Sequence, residues 1–429
     1  AGPVKRTEKI ERAFAWGASA VRAVLEPYET LFDAEIHEKT GPEAMLCLHG
    51  DAQEIKRRLC FLEDGCALGR LLDIDVIAPD GRKLSRTEIG LSPRKCLLCE
   101  NDAPVCARSR AHSADQLFAR AGEIIDAHFE EAFIRRTAEN AQRALLCEVA
   151  VTPKPGLVDR HNSGAHDDMD VFTFIHSACT LCGYFEGCTR IGLAHRGGDA
   201  QACFDALRVP GLLAEADMRR ATAGVNTHKG AIFSLGITCA SLGMSWGEPF
   251  SAEHILLRCG EMTRLRMQDE LENARQGQAR TFGEQVYQKK GVGGVRAEAA
   301  GGFAGVRETA LPRLNAALDA GLSLNDAALC ALTALMARTE DTNAVRRGGE
   351  AGAKAMREKA QMLDSRMTAA IAAGKAQEVL DDFRHELTLW DQELTRQRIS
   401  PGGCADLLAL ALLMRFCRED ADSSARAAK

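Results

Sequence analysis

The chain has 429 residues, enough for about two or three domains and a sizeable core. With 46% hydrophobic and 27% charged residues it is globular rather than disordered. The net charge of −6 argues against the basic face that bulk nucleic-acid or anionic-membrane binding needs, and the longest apolar run, Leu407–Met414, is far short of the roughly 20 residues of a membrane span. The 16 Cys, in a long chain with no visible export signal, read as thiols of the reducing cytoplasm rather than as a disulfide framework. The chain opens on Ala1 without Met, so processing or truncation upstream is expected.

In chain order, Glu8–Leu25 has helical spacing and Ala44–His49 reads as a short strand. Leu71–Ile77 alternates, with Leu72, Ile74 and Val76 on one face and Asp73 and Asp75 on the other. Pro79-Asp80-Gly81 then supplies a turn, so this stretch is expected to form a hairpin. A basic stretch follows: Arg82–Arg110 holds seven Lys/Arg against three acids. Helical spacing then governs Phe133–Val149, Phe172–Phe185, Gly230–Leu242 and Ala252–Met267. Ser323 and Asp326 make a capping box, and Glu350–Leu394 reads as two helices. The reading is therefore two domains: an α+β domain over 1–128 and an all-α domain over 129–429, with the seam inside 112–135.

In the first part, Asp73 and Asp75 at i and i+2 point the same way from a strand. They can grip Mg²⁺ through oxygen, or form a plain solvated edge. Arg70, just before them, is placed to meet a phosphate, and Arg94-Lys95 and Arg108-Ser109-Arg110 can close the other side. Cys96-x2-Cys99-x6-Cys106-x5-His112 is either a Cys₃His zinc set or packed thiols in a loop.

In the second part, Thr152-Pro153-Lys154-Pro155-Gly156-Leu157-Val158-Asp159 cannot be regular helix. It leads to the His166-Asp167-Asp168-Met169-Asp170 cluster. Gly224-Val225-Asn226-Thr227-His228-Lys229-Gly230 opens an apolar helix, where backbone N–H groups and Lys229 make an anion site, or where Asn226 or Thr227 is a simple cap. Gly291–Arg296, with Gly293 and Gly294, is a loop able to cradle phosphates or merely to turn. Glu340 and Asp341 supply metal-type oxygens beside Arg346-Arg347-Gly348-Gly349. Ser400–Asp406 reads mainly as helix capping, and Cys179, Cys182 and Cys188 as core.

Two resemblances follow from these residues. Gly69–Val76, Arg94–Cys99 and Cys106–His112 resemble the citrate lyase holo-acyl-carrier-protein synthase family, a phosphoribosyl-dephospho-CoA transferase. Gly2-Pro3-Val4-Lys5 also looks like a motif of that family, where a further N-terminal segment precedes it. TPKPGLVD, GxHxDMD, GxNTHKG, GGVRxEA, EDTNxxxRGG and SPGGxADLLA, in this order over 131–429, resemble triphosphoribosyl-dephospho-CoA synthase. The first resemblance implies a nucleotidyltransferase-like fold, with Asp73 and Asp75 on metal and the acyl carrier (gamma) subunit of citrate lyase as partner. The second implies ATP and 3′-dephospho-CoA as substrates, with Mg²⁺ on the triphosphate. Asp168 or Asp167 is then the expected base or metal ligand and His166 the expected proton donor. Glu340 and Asp341 are expected on Mg²⁺. Lys154, Asn226, His228, Lys229, Gly293, Gly294, Arg296, Arg346 and Arg347 are expected on phosphates. The competing expectations are a Mg²⁺-dependent helical hydrolase of nucleotides or ADP-ribosyl groups, and a synthase whose first domain only docks citrate lyase subunits.

Overall fold

The computed structural model describes residues 5–273 and 294–427. They form two compact units, one ending at Phe133 and one running from Ile134 to Ala427. Gly2–Val4 and Gly291–Gly293 of the motifs above lie outside the described residues.

In the first unit, α1 (Glu8–Leu25) begins where the Thr7 hydroxyl accepts the Ile10 N–H. Two antiparallel strands follow, β1 (Glu29–Glu38) and β2 (Gly41–His49), paired from Glu29 opposite His49 to Glu38 opposite Gly41. The expected strand falls within β2. The sequence reading missed β1, although Phe32, Ala34 and Ile36 alternate with Asp33, Glu35 and His37; a register shift between Thr30 and Phe32 interrupts only its start. α2 (Ala52–Gly65) starts at Asp51, whose carboxylate accepts the Glu54 N–H at 2.8 Å. The core gathers Leu25, Ile55, Leu59, Val76 and Leu84.

The hairpin expected after Leu71 is not formed as strands. Gly69–Leu71 is a 3₁₀ turn, residues 72–76 have no strand partner, and a single bridge, Ile77 to Lys83, closes the turn. Side chains and loop backbone take the place of a neighbouring strand. The buried Lys56 ammonium donates to the Ile74 carbonyl at 2.8 Å, Arg94 donates to the Leu72 carbonyl at 2.8 Å, and the Leu84 N–H donates to the Val76 carbonyl at 2.9 Å. The alternation itself is present: Asp73 and Asp75 are exposed while Val76 is buried.

After α3 (Ala103–Ser109), the 37-residue α4 (Ala114–Ala150) carries the chain from the first unit into the second, so the expected seam lies inside one continuous helix. The second unit continues with α5 (Val171–Thr180), α6 (Cys182–Ala194), α7 (Ala200–Ala221), α8 (Lys229–Met244) and α9 (Ala252–Asn273). It ends with α10 (Gly294–Ala300), α11 (Leu311–Asp319), α12 (Leu324–Arg338), α13 (Thr342–Ala372), α14 (Leu380–Arg396) and α15 (Gly402–Ala427). No strand occurs among its described residues. The run read as one helix over 172–185 is two, divided at Leu181. Of Cys179, Cys182 and Cys188 in these two helices, Cys188 is buried but Cys179 is exposed, so the cysteines are only partly core.

α8 and α12 are the central helices. Every residue from Ser234 to Met244 and from Asp326 to Ala337 is buried, as befits helices that are apolar all round. Small residues let backbones touch: a Cβ on Gly192 would lie 2.0 Å from the Ala240 carbonyl oxygen, so α6 and α8 meet without a side chain between them. Ser323 caps α12 by accepting the Asp326 N–H, and the Asp326 carboxylate is held by Arg384 of α14 at 2.7 and 2.8 Å.

Candidate functional site

The N-terminus of α8 opens onto a cavity of about 370 Å³. Its walls come from the end of α4, the loop after it, the loop before α5, and the first turns of α8, α13 and α15. The proline-rich turn after α4 is tied by Asp159, which accepts the N–H groups of Lys154 (2.9 Å), His161 (2.6 Å) and Asn162 (3.0 Å). This turn drives Lys154 inward, where it is 1% exposed. Its ammonium donates to the Glu148 carbonyl at 2.8 Å and to the Glu148 carboxylate. Burial pushes the Glu148 carboxyl above its ordinary range, and Lys154 opposes that shift. Lys154 is therefore the counter-ion of a buried acid, rather than a cation free for phosphate.

His166 meets Arg347 and Ser400. Arg347 donates to its Nδ1 at 3.2 Å and to the Ala165 carbonyl at 2.8 Å, and His166 Nε2 lies 2.9 Å from the Ser400 hydroxyl. Burial, helped by Arg347, lowers the ring to about 4, so it is neutral at physiological pH with the proton on Nε2. The expected proton donor thus carries no extra proton to give. Its neutral ring holds Arg347 and Ser400 in place.

At the start of α8, Asn226 accepts the Lys229 N–H at 3.3 Å, so the simple capping role expected for it is present alongside its place in the cavity wall. His228 is buried, with Nδ1 2.7 Å from the Ser177 hydroxyl and its ring edge-on to Phe174 at 5.0 Å. Burial and Lys154 lower it to about 3. Two buried polar atoms here, His228 Nε2 and Thr227 Oγ1, have no hydrogen-bond partner among the described residues. Such atoms are costly unless a ligand or an ordered water satisfies them. Gly230 is needed sterically: a Cβ would sit 1.9 Å from Asp406 Oδ2. Asp406, read from the sequence as a capping acid, instead lines the cavity from inside α15. Burial, with Glu148 and Asp341 adding repulsion, raises its carboxyl well above the ordinary range.

The expected residues do not all converge. Lys154, His166, Asp168, Asn226, His228, Lys229, Arg346 and Arg347 line this cavity. Asp168 stands 63% exposed, with His166 3.8 Å away, and Lys229 pairs with Glu215 at 3.0 Å. Asp167 turns outward to Arg398 at 2.9 Å. Gly294, Glu340 and Asp341 line a different cavity of about 390 Å³, together with Glu298. There Asp341 caps α13 by accepting the Asn343 and Ala344 N–H groups at 2.8 and 3.0 Å, and its other oxygen accepts the Cys404 N–H at 2.9 Å. Both oxygens expected on a metal are thus joining two helix starts. Glu340 lies 3.4 Å from Arg357. Arg296 lies in α10 and is not part of the first cavity's wall. The sequence reading missed Glu148 and gave Asp406 only a capping role. Glu148 leaves a trace, a lone acid between Leu145 and Val149 of an apolar face.

In the first unit, Asp73 is exposed and Asp75 pairs with Lys83 at 2.6 Å. Arg70 donates to the Lys95 and Cys96 carbonyls at 2.8 and 3.4 Å, so it anchors a loop. Cys96, Cys99, Cys106 and His112 come together, their ligand atoms all within 4.8 Å of one another.

Residues 1–128 match the family described as apo-citrate lyase phosphoribosyl-dephospho-CoA transferase (CitX), and 134–424 the family described as ATP:dephospho-CoA triphosphoribosyl transferase (CitG). Protein CitXG of Haemophilus influenzae is 34% identical over 403 residues, covering 92% of this chain and 81% of that protein. Protein CitXG of Leuconostoc mesenteroides subsp. cremoris is 33% identical over 426 residues, covering 96% and 89%. The chain belongs to the CitXG family. It is a transferase whose CitX half comes first and whose CitG half comes second. The CitG half is also 40% identical over 276 residues, 64% of this chain and 85% of that protein, to the probable 2-(5''-triphosphoribosyl)-3'-dephosphocoenzyme-A synthase of Vibrio cholerae. The hydrolase alternative finds no support among these relatives.

Proposed function

We propose that the chain makes the citrate lyase prosthetic group in its CitG half and attaches it in its CitX half. ATP and 3′-dephospho-CoA give 2′-(5″-triphosphoribosyl)-3′-dephospho-CoA and adenine. The product then passes to a Ser of the citrate lyase acyl carrier (gamma) subunit, and pyrophosphate leaves. The observation that carries this reading is the α8 cavity, which joins cationic groups, a helix N-terminus, unpartnered buried polar atoms and a protonatable carboxyl in one place.

In this reading the 2′-hydroxyl oxygen of dephospho-CoA bonds to C1″ of the ATP ribose as the C1″–N9 bond breaks, through an oxocarbenium-like transition state. Lys229, Arg346 and Arg347, with the α8 N–H groups, hold the triphosphate, which enters with Mg²⁺ as part of the substrate. Asp406, whose acid form is favoured by burial and by the neighbouring carboxylates, gives its proton to departing adenine. Asp168, at the cavity mouth, takes the proton of the 2′-hydroxyl. His228 Nε2 and Thr227 Oγ1 find in the substrate the partners that the protein does not supply.

In the CitX half, Asp73 and Asp75 would hold Mg²⁺, which neutralises the triphosphate as the carrier Ser hydroxyl attacks the α-phosphorus. The nucleotidyltransferase-like character of this half rests on the Asp pair, since the only described strands are β1 and β2. The compartment is the cytoplasm, favoured by sixteen cysteines that are all free. No described helix is long and apolar enough to cross a membrane.

Chromatography of a reaction with the full chain, ATP, Mg²⁺ and dephospho-CoA tests the reading. Adenine that depends on dephospho-CoA supports it; ADP, AMP or no product counts against it. Adding the apo carrier subunit separates the halves. Asp73→Asn is expected to cut pyrophosphate release on carrier loading by at least about 100-fold, because a metal contributes several kcal/mol to such displacements. Adenine release should be unchanged, and its loss would contradict the division of labour.

A further inference from the structure

We propose that Cys96, Cys99, Cys106 and His112 bind one structural zinc ion, which fixes the loop over residues 94–112, itself hydrogen-bonded to the segment that carries Asp73 and Asp75. The four donor atoms all lie within 4.8 Å of one another. Cys99 Sγ is 3.4 Å from Cys106 Sγ, and His112 Nε2 is 3.3 Å from Cys99 Sγ. Tetrahedral zinc, with Zn–S near 2.3 Å and Zn–N near 2.0–2.1 Å, sets neighbouring donors about 3.5–3.8 Å apart. The cluster has that size, and its three thiols and one imidazole are a borderline-soft donor set suited to zinc.

The frame around the donors is built by backbone bonds. The Cys96 N–H donates to the Asn101 carbonyl at 2.8 Å, and the Ala103 N–H to the Arg94 carbonyl at 2.7 Å, closing a tight turn that contains Cys96 and Cys99. The Leu98 N–H points to Cys96 Sγ at 3.5 Å, a contact that supports a thiolate ligand. α3 brings Cys106, and the Ala111 N–H bonds back to the Cys106 carbonyl at 3.1 Å, which returns the chain toward His112. Cys96 and Cys106 are buried, while Cys99 and His112 are half-buried, so the site is closed on one side and reachable on the other.

Its consequence lies in what the loop holds. Arg70 donates to the Lys95 and Cys96 carbonyls, and Arg94 donates back to the Arg70 and Leu72 carbonyls at 2.9 and 2.8 Å. The loop backbone at the first ligand is therefore laced to the residues immediately before Asp73. The segment has no strand neighbour, so this lacing substitutes for one. In a unit whose buried core is small, a metal clip supplies the missing constraint.

The full chain, purified under reducing conditions without chelator, is expected to contain about one zinc per chain by elemental analysis. Cobalt substitution should give the visible bands of a tetrahedral thiolate site. Cys96→Ser with Cys106→Ser should lose the metal, whereas His112→Cys should retain it, since four thiolates also make a zinc set. Neither should change adenine release, which belongs to the other half; carrier loading should fall with the metal. If the double variant does not fold, titration of the native protein with an organomercurial serves instead, zinc being released as about three thiols react. Metal-free reduced protein that takes up no added zinc, a native Cys99–Cys106 disulfide, or full zinc content in the double variant would each overturn the proposal.

Discussion

Asp406→Asn is expected to slow dephospho-CoA-dependent adenine release by about 100- to 10,000-fold, the range over which a positioned general acid acts. The carboxyl lines the α8 cavity, and burial with the nearby Glu148 and Asp341 shifts it toward the protonated form. The amide is nearly the same size but has no proton to give. The pH profile carries the sign. The raised pKa means that the acid form persists to higher pH than in an ordinary carboxyl and is lost as pH rises through that value, so wild-type activity should fall as pH rises. The residual activity of the Asn variant should not show this fall. Gly230→Ala should act in the same direction through geometry, because its methyl would occupy the position of Asp406 Oδ2. An Asn variant with near-normal rate and an unchanged alkaline limb would remove Asp406 from the chemistry.

Lys154→Met is expected to destabilise the CitG half by about 3–5 kcal/mol, the usual cost of removing one partner from a buried ion pair. Lys154 and Glu148 are 1% and 5% exposed at their side chains, and Lys154 also bonds the Glu148 carbonyl. Without the ammonium, Glu148 is tolerated only when protonated. Its pKa, already raised, moves higher, and the destabilisation grows as pH rises. Urea unfolding on either side of neutral pH measures this. Lys154→Met combined with Glu148→Leu should recover most of the loss, since neither charge is then left alone. A single variant as stable as the wild type at alkaline pH would mean that the pair is not buried in solution.

The CitG motifs were legible as chemistry but not as one site. TPKPGLVD looked like a turn presenting Lys154 to phosphate. The structure spends that lysine on Glu148, an acid with no motif of its own. EDTN looked like metal ligands, and Asp341 proves to join the starts of α13 and α15. His166 looked like a proton donor, yet Arg347 and burial keep it neutral. Each expectation was reasonable for an isolated side chain. What changed it was a partner outside the motif, six residues upstream for Lys154 and far along the chain for Asp341 and His166.

The sequence alone determined several of the helices. Helical spacing identified α1, α8 and α9, because an α-helix bonds within itself and its 3.6-residue period is written in consecutive residues. It also determined the outward face of Asp73 and Asp75 and the cysteine spacing that reaches His112. The tertiary structure decided whether residues 72–76 have a strand neighbour, because strand pairing is made with another part of the chain. It decided equally that Asp406 faces Gly230 rather than merely capping a helix. The α8 cavity draws its walls from Glu148, His166, His228, Arg347 and Asp406, groups brought together by the packing of helices and of the loops between them. Their desolvation and mutual charges, which set their protonation, exist only once that packing is complete.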